Sequence, residues 1–417
     1  MKYCKVIFCC ILIFSLVFSM VGCDISQKEE PIELSYGAET TETPLSNAVK
    51  LLKAEKKLTI GYIGGSITNG NSATKRLTSS ELNKEAKIKN SWVNRTSTYF
   101  AEKYPDAVIE TVNVGVSNTQ TNFAIFRLEK ELMNTNGHDM PDLVFIEFCT
   151  NDWNSGDELK TEIESLVRNI YRLNPYAEIV VISTASAYKN ASRLLYQEIC
   201  EEYNIPFVCV GLKLRSAIRK KDGVSDEKTP LFYTTDNLHP SAEGYKLYTD
   251  LIIEALQPLL DTEIKEYKLY NYYEKMRAPI MEHIIESPKI VYANELTLGG
   301  NASLVETKLT HTMFGTAFSQ NTVEVTPNCI LLNKGDKITY NFSGATFGVI
   351  MKYRPQNFSY RYRIDGGEWV EKKVNSHLGN QTQASIWEHF LSDAQHTVEL
   401  ESLTDDNYIG AFLVNQK

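Results

Sequence analysis

Three polar residues have the types that acyl transfer needs: Ser66, within Gly64-Gly65-Ser66-Ile67-Thr68, and Asp236 and His239, within Asp236-Asn237-Leu238-His239-Pro240. A serine hydroxyl is a weak nucleophile until a neighbouring base takes its proton, and an imidazole does so near neutral pH. A spacing of three lets one loop hold Asp236 and His239 together, the carboxylate accepting from one ring nitrogen while the other faces the serine. Glycines before Ser66 let the backbone turn sharply and leave the hydroxyl at the surface of the turn. The bland alternatives are an N-cap serine in a tight strand-to-helix turn and a solvated loop Asp and His. The seven histidines are scattered, with no HxH or HExxH, so neither a metal nor another cofactor is expected.

Two further stretches supply hydrogen-bond donors. Asn113-Val114-Gly115-Val116-Ser117 offers the Gly115 N–H, and Thr150-Asn151-Asp152 offers the Asn151 side-chain amide. A donor aimed at a developing oxyanion is worth on the order of 3 kcal/mol of barrier. Asn and Gly after strands are also common as turn and cap residues. Trp153, next in the chain, is either a sugar-stacking wall or a packing residue.

The elements that must position these groups follow from hydrophobic pattern. Short apolar runs at 58–64, 107–114, 142–149, 178–184 and 206–211 read as buried strands. Stretches near 91–104, 121–134, 157–173, 190–203 and 241–257 have apolar residues at spacings of three and four. Alternating strands and helices predict an α/β fold, a five-stranded parallel sheet covered on both faces in three layers. Ligands bind such open sheets at the carboxyl ends of the strands, where every motif above falls.

Residues 1–23 open with Lys2 and Lys5, continue as an uncharged apolar run from Val6 to Val21 and end at Gly22-Cys23, the layout of a signal peptide with a lipobox-like end that makes Cys23 a candidate for lipidation. This predicts export, to the outer face of the cell membrane as a lipoprotein or into the medium. Residues 24–46, rich in Glu, Thr, Ser and Pro, are expected to be a disordered tether. The α/β domain is placed at 47–260, a packed aromatic connector at 261–292, and a β-sandwich at 293–417, where period-two alternation surrounds an Asp365-Gly366-Gly367 turn. The polar insertion 69–90 is either a cap over the site or a surface loop. Four of the eight cysteines fall in the leader; Cys149, Cys200, Cys209 and Cys329 lack CxxC spacing and read as buried free thiols. A formal charge of -9, with no cluster of Lys and Arg, argues against a nucleic-acid partner.

Taken in order, GGSIT, NVGVS, CTND and DNLHP resemble blocks I, II, III and V of the SGNH, or GDSL, hydrolase family over roughly residues 56–260. The resemblance implies a flavodoxin-like domain in which Ser66 is the nucleophile, Gly115, Asn151 and the Ser66 N–H hold the oxyanion, and Asp236 and His239 complete a triad. Gly65 departs from the usual GDS, and GGS variants resemble secreted carbohydrate esterases. Asn118 stands where block II often has glycine. With the leader and a jelly-roll-like second domain, the expectation is an exported serine esterase acting on acyl, chiefly acetyl, esters of an extracellular or cell-wall polysaccharide or oligosaccharide. The alternatives are a lipase-like esterase or acyltransferase and a non-catalytic glycan-binding surface protein.

Overall fold

The computed structural model describes residues 33–35, 42–73, 88–134, 138–184, 192–213, 236, 238–313, 315–316, 321–354, 356–374 and 381–416. The leader with Cys23, most of the 24–46 stretch and residues 74–87 of the insertion lie outside the described residues.

Five parallel strands form the centre of the first lobe: β2 (Lys57–Gly64), β3 (Val108–Asn113), β4 (Leu143–Glu147), β5 (Glu178–Ser183) and β6 (Phe207–Cys209), in the spatial order β6-β5-β4-β2-β3. Apart from Lys57 and the first four residues of β3, which lie towards the sheet edge, their residues are buried, because helices cover both faces. Helices α1 (Ser46–Ala54), α2 (Trp92–Lys103) and α6 (Ala242–Leu260) pack on Leu58, Ile60, Tyr62, Phe145 and Val180. Helices α3 (Thr121–Leu128), α4 (Gly156–Leu173) and α5 (Arg193–Glu202) pack on Ile63, Val144, Ile146 and Val181. The chain leaves β2 to build β3 on one side and then crosses to β4 on the other, so the loops after β2 and β4 part at a topological switch point. This is the expected α/β architecture.

Three features depart from the sequence expectation. Residues Glu33–Ser35, placed in the tether, form an edge strand β1 antiparallel to β6. Helix α1 was not foreseen, although Leu45, Ala48, Val49 and Leu52 carry helical spacing and are all buried. The far edge gains a two-residue strand contributed by the second lobe. Strands of two or three residues carry too little pattern to be read locally; their partners lie far away in sequence.

The second lobe is a β-sandwich. One sheet has the order β18 (Thr382–Glu388), β15 (Phe347–Lys352), β20 (Asn407–Asn415), β13 (Cys329–Leu332) and β9 (Ser303–Val305), with β7 (Pro288–Tyr292) also paired to β20. The other has the order β17 (Val370–Val374), β16 (Phe358–Ile364), β19 (Gln395–Ser402), β14 (Lys337–Ser343) and β8 (Thr297–Gly299). Phe347, Tyr360, Tyr362, Trp387, Val398 and Phe412 fill the space between them. The β16–β17 hairpin turns through Asp365 at φ 53° and Gly366 at φ 70°, the left-handed pair that the DG signal requires. The expected connector ends early, since its last five residues are β7.

The two lobes share one apolar cluster: Ile350, Ile386, Ala411 and Leu413 of the sandwich pack with Phe123, Ile163 and their neighbours on α3 and α4. Strands β10 (Leu309–Met313) and β12 (Asn321–Thr326) pair as a ribbon, and between them β11 (Gly315–Thr316) lies antiparallel on β3. Buried carboxylate–histidine contacts cross the seam, His389 Nε2 lying 2.8 Å from Glu162 Oε1 and His311 Nε2 3.0 Å from Glu131 Oε1. Arg127 closes on Glu131 from the same lobe at 2.7 Å. Burial would raise the Glu131 pKa, but the charges of His311 and Arg127 outweigh it and hold it below the ordinary value. The four described cysteines are buried and free, as expected.

At the opposite end of the sheet from these motifs, Glu178 is fully buried and accepts from the Asn47 N–H and the Tyr272 hydroxyl, each at 2.8 Å. Burial pushes its pKa up to about 7 in spite of those bonds. A carboxyl with a raised folded-state pKa stabilises the fold at low pH and loses that contribution as pH rises from about 4.3 through the folded value. Between about pH 5 and pH 8 the melting temperature of the wild type is therefore expected to fall more steeply than that of Glu178→Gln; parallel calorimetric curves would show that Glu178 does not titrate in this window.

Candidate active site

Ser66 sits two residues beyond the end of β2 and is 7% exposed. The turn that carries it closes with Asn69 N–H on Gly65 O, Gly70 N–H on Ile67 O and Asn71 N–H on Ser66 O, each at 3.0 Å. Side chains pin it from outside: Asn113 Nδ2 donates to Thr68 O at 2.9 Å, and the Tyr245 hydroxyl lies 2.8 Å from Asn71 O and 3.1 Å from Ile67 O. A backbone held at this many points fixes where the Ser66 side chain leaves the turn, and the contact with His239 selects among its staggered hydroxyl positions.

Ser66 Oγ lies 2.7 Å from His239 Nε2. His239 Nδ1 lies 2.7 Å from Asp236 Oδ2, while Asp236 Oδ1 accepts the His239 N–H at 2.7 Å and the Leu238 N–H at 3.1 Å. Bonded twice to backbone and once to the ring, Asp236 fixes the imidazole's orientation and makes Nδ1 the donor, which leaves Nε2 to accept from the serine. Partial burial would raise the Asp236 pKa, but the bonds from the His239 ring and N–H, and the ring's charge, bring it below the ordinary value. The carboxylate is thus present at neutral pH to stabilise an imidazolium.

Asn151 follows β4 across the switch point. Its Nδ2 donates to Thr119 O at 2.9 Å, which leaves the second N–H of that amide for a ligand. The amide lies directly on Gly65: a Cβ added there would come within 2.5 Å of Asn151 Nδ2. A side chain at position 65, where the usual block is GDS, would have to displace the Asn151 amide from this position.

Gly115 requires a correction. Its N–H donates to Asn113 Oδ1 at 2.9 Å, and its carbonyl accepts from Asn69 Nδ2 at 2.8 Å. The N–H expected to hold an oxyanion is consumed inside its own loop. A Cβ at Gly115 would stand 2.6 Å from Asn69 N, so the glycine lets two loops touch. The loop makes its left-handed turn at Asn118, φ 61°, a conformation that asparagine tolerates where block II often has glycine.

Trp153 is 75% exposed, so it is not a core packing residue. Asp152 beside it is half-buried and caps α3, accepting from Thr121 N–H and Oγ1 at 2.9 Å and from Tyr196 OH at 2.7 Å, and desolvation of its carboxyl pushes it up to about 7. Sequence reasoning passed over Asn69, Asn113 and Tyr245, whose roles depend on partners from distant loops. It also passed over Glu147, which had a signal as the one charge inside the apolar run 143–149. The second lobe reaches the same turn, since Asn69 Nδ2 also donates to Thr312 O at 3.3 Å. Among the described residues no three His, Cys, Asp or Glu side chains gather as a metal site.

A serine, a histidine and an aspartate stand here in hydrogen-bonded series at the carboxyl edge of a parallel sheet, the arrangement that acyl transfer through a serine requires. Residues 62–247 match the GDSL-like lipase/acylhydrolase family. Across both lobes the chain shares the fold of a two-domain esterase, CEX, active on acetylated mannans: TM-score 0.66, 18% identity, 90% of this chain and 97% of that one covered. The same esterase co-crystallised with mannopentaose gives 0.66 and 19%, with the same coverage. A catalytic mutant of an acetylxylan esterase from Geobacillus stearothermophilus covers 49% of this chain and 95% of its own, at TM-score 0.35 and 17% identity. No curated protein sequence matches the chain.

Because residue 65 has no room for a side chain, Gly65→Ala must push the Asn151 amide off Thr119. A fluorophosphonate, which reports the reactivity of Ser66 directly, is expected to label this variant on the order of tenfold more slowly than the wild type. Equal rates would mean that Asn151 moves without consequence.

Proposed function

We propose that this chain is an exported serine esterase that removes acyl groups, chiefly acetyl, from an extracellular or cell-wall glycan. The observation that carries the reading is the series from Asp236 through His239 to Ser66, with 2.7 Å at each link. His239 Nε2 takes the Ser66 proton as Oγ attacks the ester carbonyl. The oxyanion rests on the Ser66 N–H and the free N–H of Asn151. Collapse breaks the bond to the sugar oxygen, which leaves with the proton from His239. Water, deprotonated by the same imidazole, then splits the acyl-enzyme and releases the acid. None of these steps calls on a metal or an organic cofactor.

The glycan substrate is supported by the exposed Trp153 beside Asn151, a flat apolar wall on which a sugar ring can stack, and by the sandwich fused to the hydrolase lobe. Fold likeness to an esterase of acetylated mannans agrees with the reading. Export, and lipid anchoring at Cys23, rest on the leader's residues alone.

The test is acetate release from p-nitrophenyl acetate, acetylated xylan and acetylated mannan by the leaderless protein. Ser66→Ala and His239→Ala are expected to abolish it, Asn151→Ala to lower kcat by about 10²–10³-fold, and Asp236→Asn by up to about 10⁴-fold. Trp153→Ala is expected to raise KM for the polymers while leaving p-nitrophenyl acetate nearly unaffected. Activity retained in Ser66→Ala would remove the proposed nucleophile; a folded wild type that releases no acetate from any of the three would turn the reading toward acyl transfer or glycan binding.

A further inference from the structure

Glu147, the last residue of β4, is fully buried directly behind the Ser66 turn. Its carbonyl accepts the Gly65 N–H at 3.1 Å, and its Oε2 accepts the Thr68 hydroxyl at 2.9 Å, so one residue holds the turn on both sides of Ser66. Its Oε1 accepts the Thr184 hydroxyl at 2.8 Å, and Thr184 in turn bonds Thr150. The carboxyl group thereby ties together the ends of β2, β4 and β5. Gly64 makes the reach achievable, since a Cβ there would lie 2.1 Å from Thr68 Oγ1 and 2.6 Å from Glu147 O.

Such a group is costly. The titratable groups that face it are Asp152, Cys149, Tyr245 and Tyr248; none is a cation, and burial pushes its pKa up to about 7 against the bonds from Thr184 and Thr68. An apolar residue would serve the packing of β4 between Phe145, Ile146 and Phe148 at lower cost, whereas a buried unpaired carboxyl at a reactive serine points to a task. We propose that Glu147 is a positioning residue for the nucleophile: accepting from Thr68 and Thr184, it holds the Ser66 turn at the register that puts Oγ on His239. The proposal rests on Ser66 being the nucleophile, as proposed above. Displacing a reacting group by about 1 Å costs on the order of 10²-fold in rate. A carboxamide, which keeps the shape but can accept from only one hydroxyl in this place, loosens the turn without emptying the site.

The experiment measures the rate of Ser66 labelling by a fluorophosphonate, read by intact mass on the folded, soluble fraction, together with kcat and KM on p-nitrophenyl acetate. It compares the wild type with Glu147→Gln and Thr68→Val. Labelling and kcat are expected to fall about ten- to hundredfold in Glu147→Gln and in the same direction in Thr68→Val, with KM nearly unchanged. A merely structural role would lower the melting temperature and the yield of folded protein while leaving the rate per folded molecule intact. Wild-type rates in both variants would overturn the brace and leave the esterase reading standing. If Glu147→Gln does not fold, Thr68→Val decides alone by the same criterion. A wild type that is not labelled would remove Ser66 as nucleophile, and the brace with it.

Discussion

Backbone-to-side-chain contact at the carboxyl ends of β2 and β4 is the constraint on which the site depends. Gly64 and Gly65 pass so close to Thr68, Glu147 and Asn151 that neither position has space for a Cβ. Two adjacent strands diverge there, so the Ser66 turn and the Asn151 loop can face one another across the crevice. Once the glycines admit that approach, the turn's own hydrogen bonds, Tyr245 and Asn113 hold the backbone that carries the serine. His239 meets it from a third loop, with Asp236 steering the ring. Preorganisation of this kind is what makes a nucleophile effective, because no reorganisation remains to be done during the reaction.

The second lobe is more closely tied to the first than an appended module would be. A shared apolar cluster, two buried carboxylate–histidine pairs and a strand laid on the edge of β3 join them. A buried pair is stable only while both partners are present, since removing one leaves a desolvated charge. Separating the lobes would uncover Glu162 and Glu131 as well as the outer face of the six-stranded sheet. The contact also extends to the Ser66 turn through Asn69 and Thr312. The sandwich therefore shapes the site region as well as standing beside it.

Much of this was legible in the sequence, and the reason is local. Buried parallel strands are continuous apolar runs and amphipathic helices repeat at 3.6 residues, so the five central strands and the helices between them could be read to within a few residues. Ser66 and Asn151 could be singled out because each lies in a turn just beyond a strand, and Asp236 and His239 because they stand just before a helix. The β16–β17 hairpin was equally visible, because Asp365 and Gly366 suit its left-handed turn whatever surrounds it.

The rest depended on which distant groups meet. Nothing local says that the Gly115 N–H is taken by Asn113, that Asn151 rests on Gly65, or that a lone glutamate in an apolar strand reaches Thr68 and Thr184. Nor does local pattern place two- and three-residue edge strands, or bring His389 to Glu162 across more than two hundred residues. By itself the sequence determined the periodic elements, the tight turns and the chemical types available at their ends, since these follow from backbone and side-chain preferences over a few residues. Only the tertiary structure decided which donors remain free, which carboxyls are buried and which lobe braces which, because hydrogen-bond occupancy and desolvation are properties of neighbours that the chain brings together from afar.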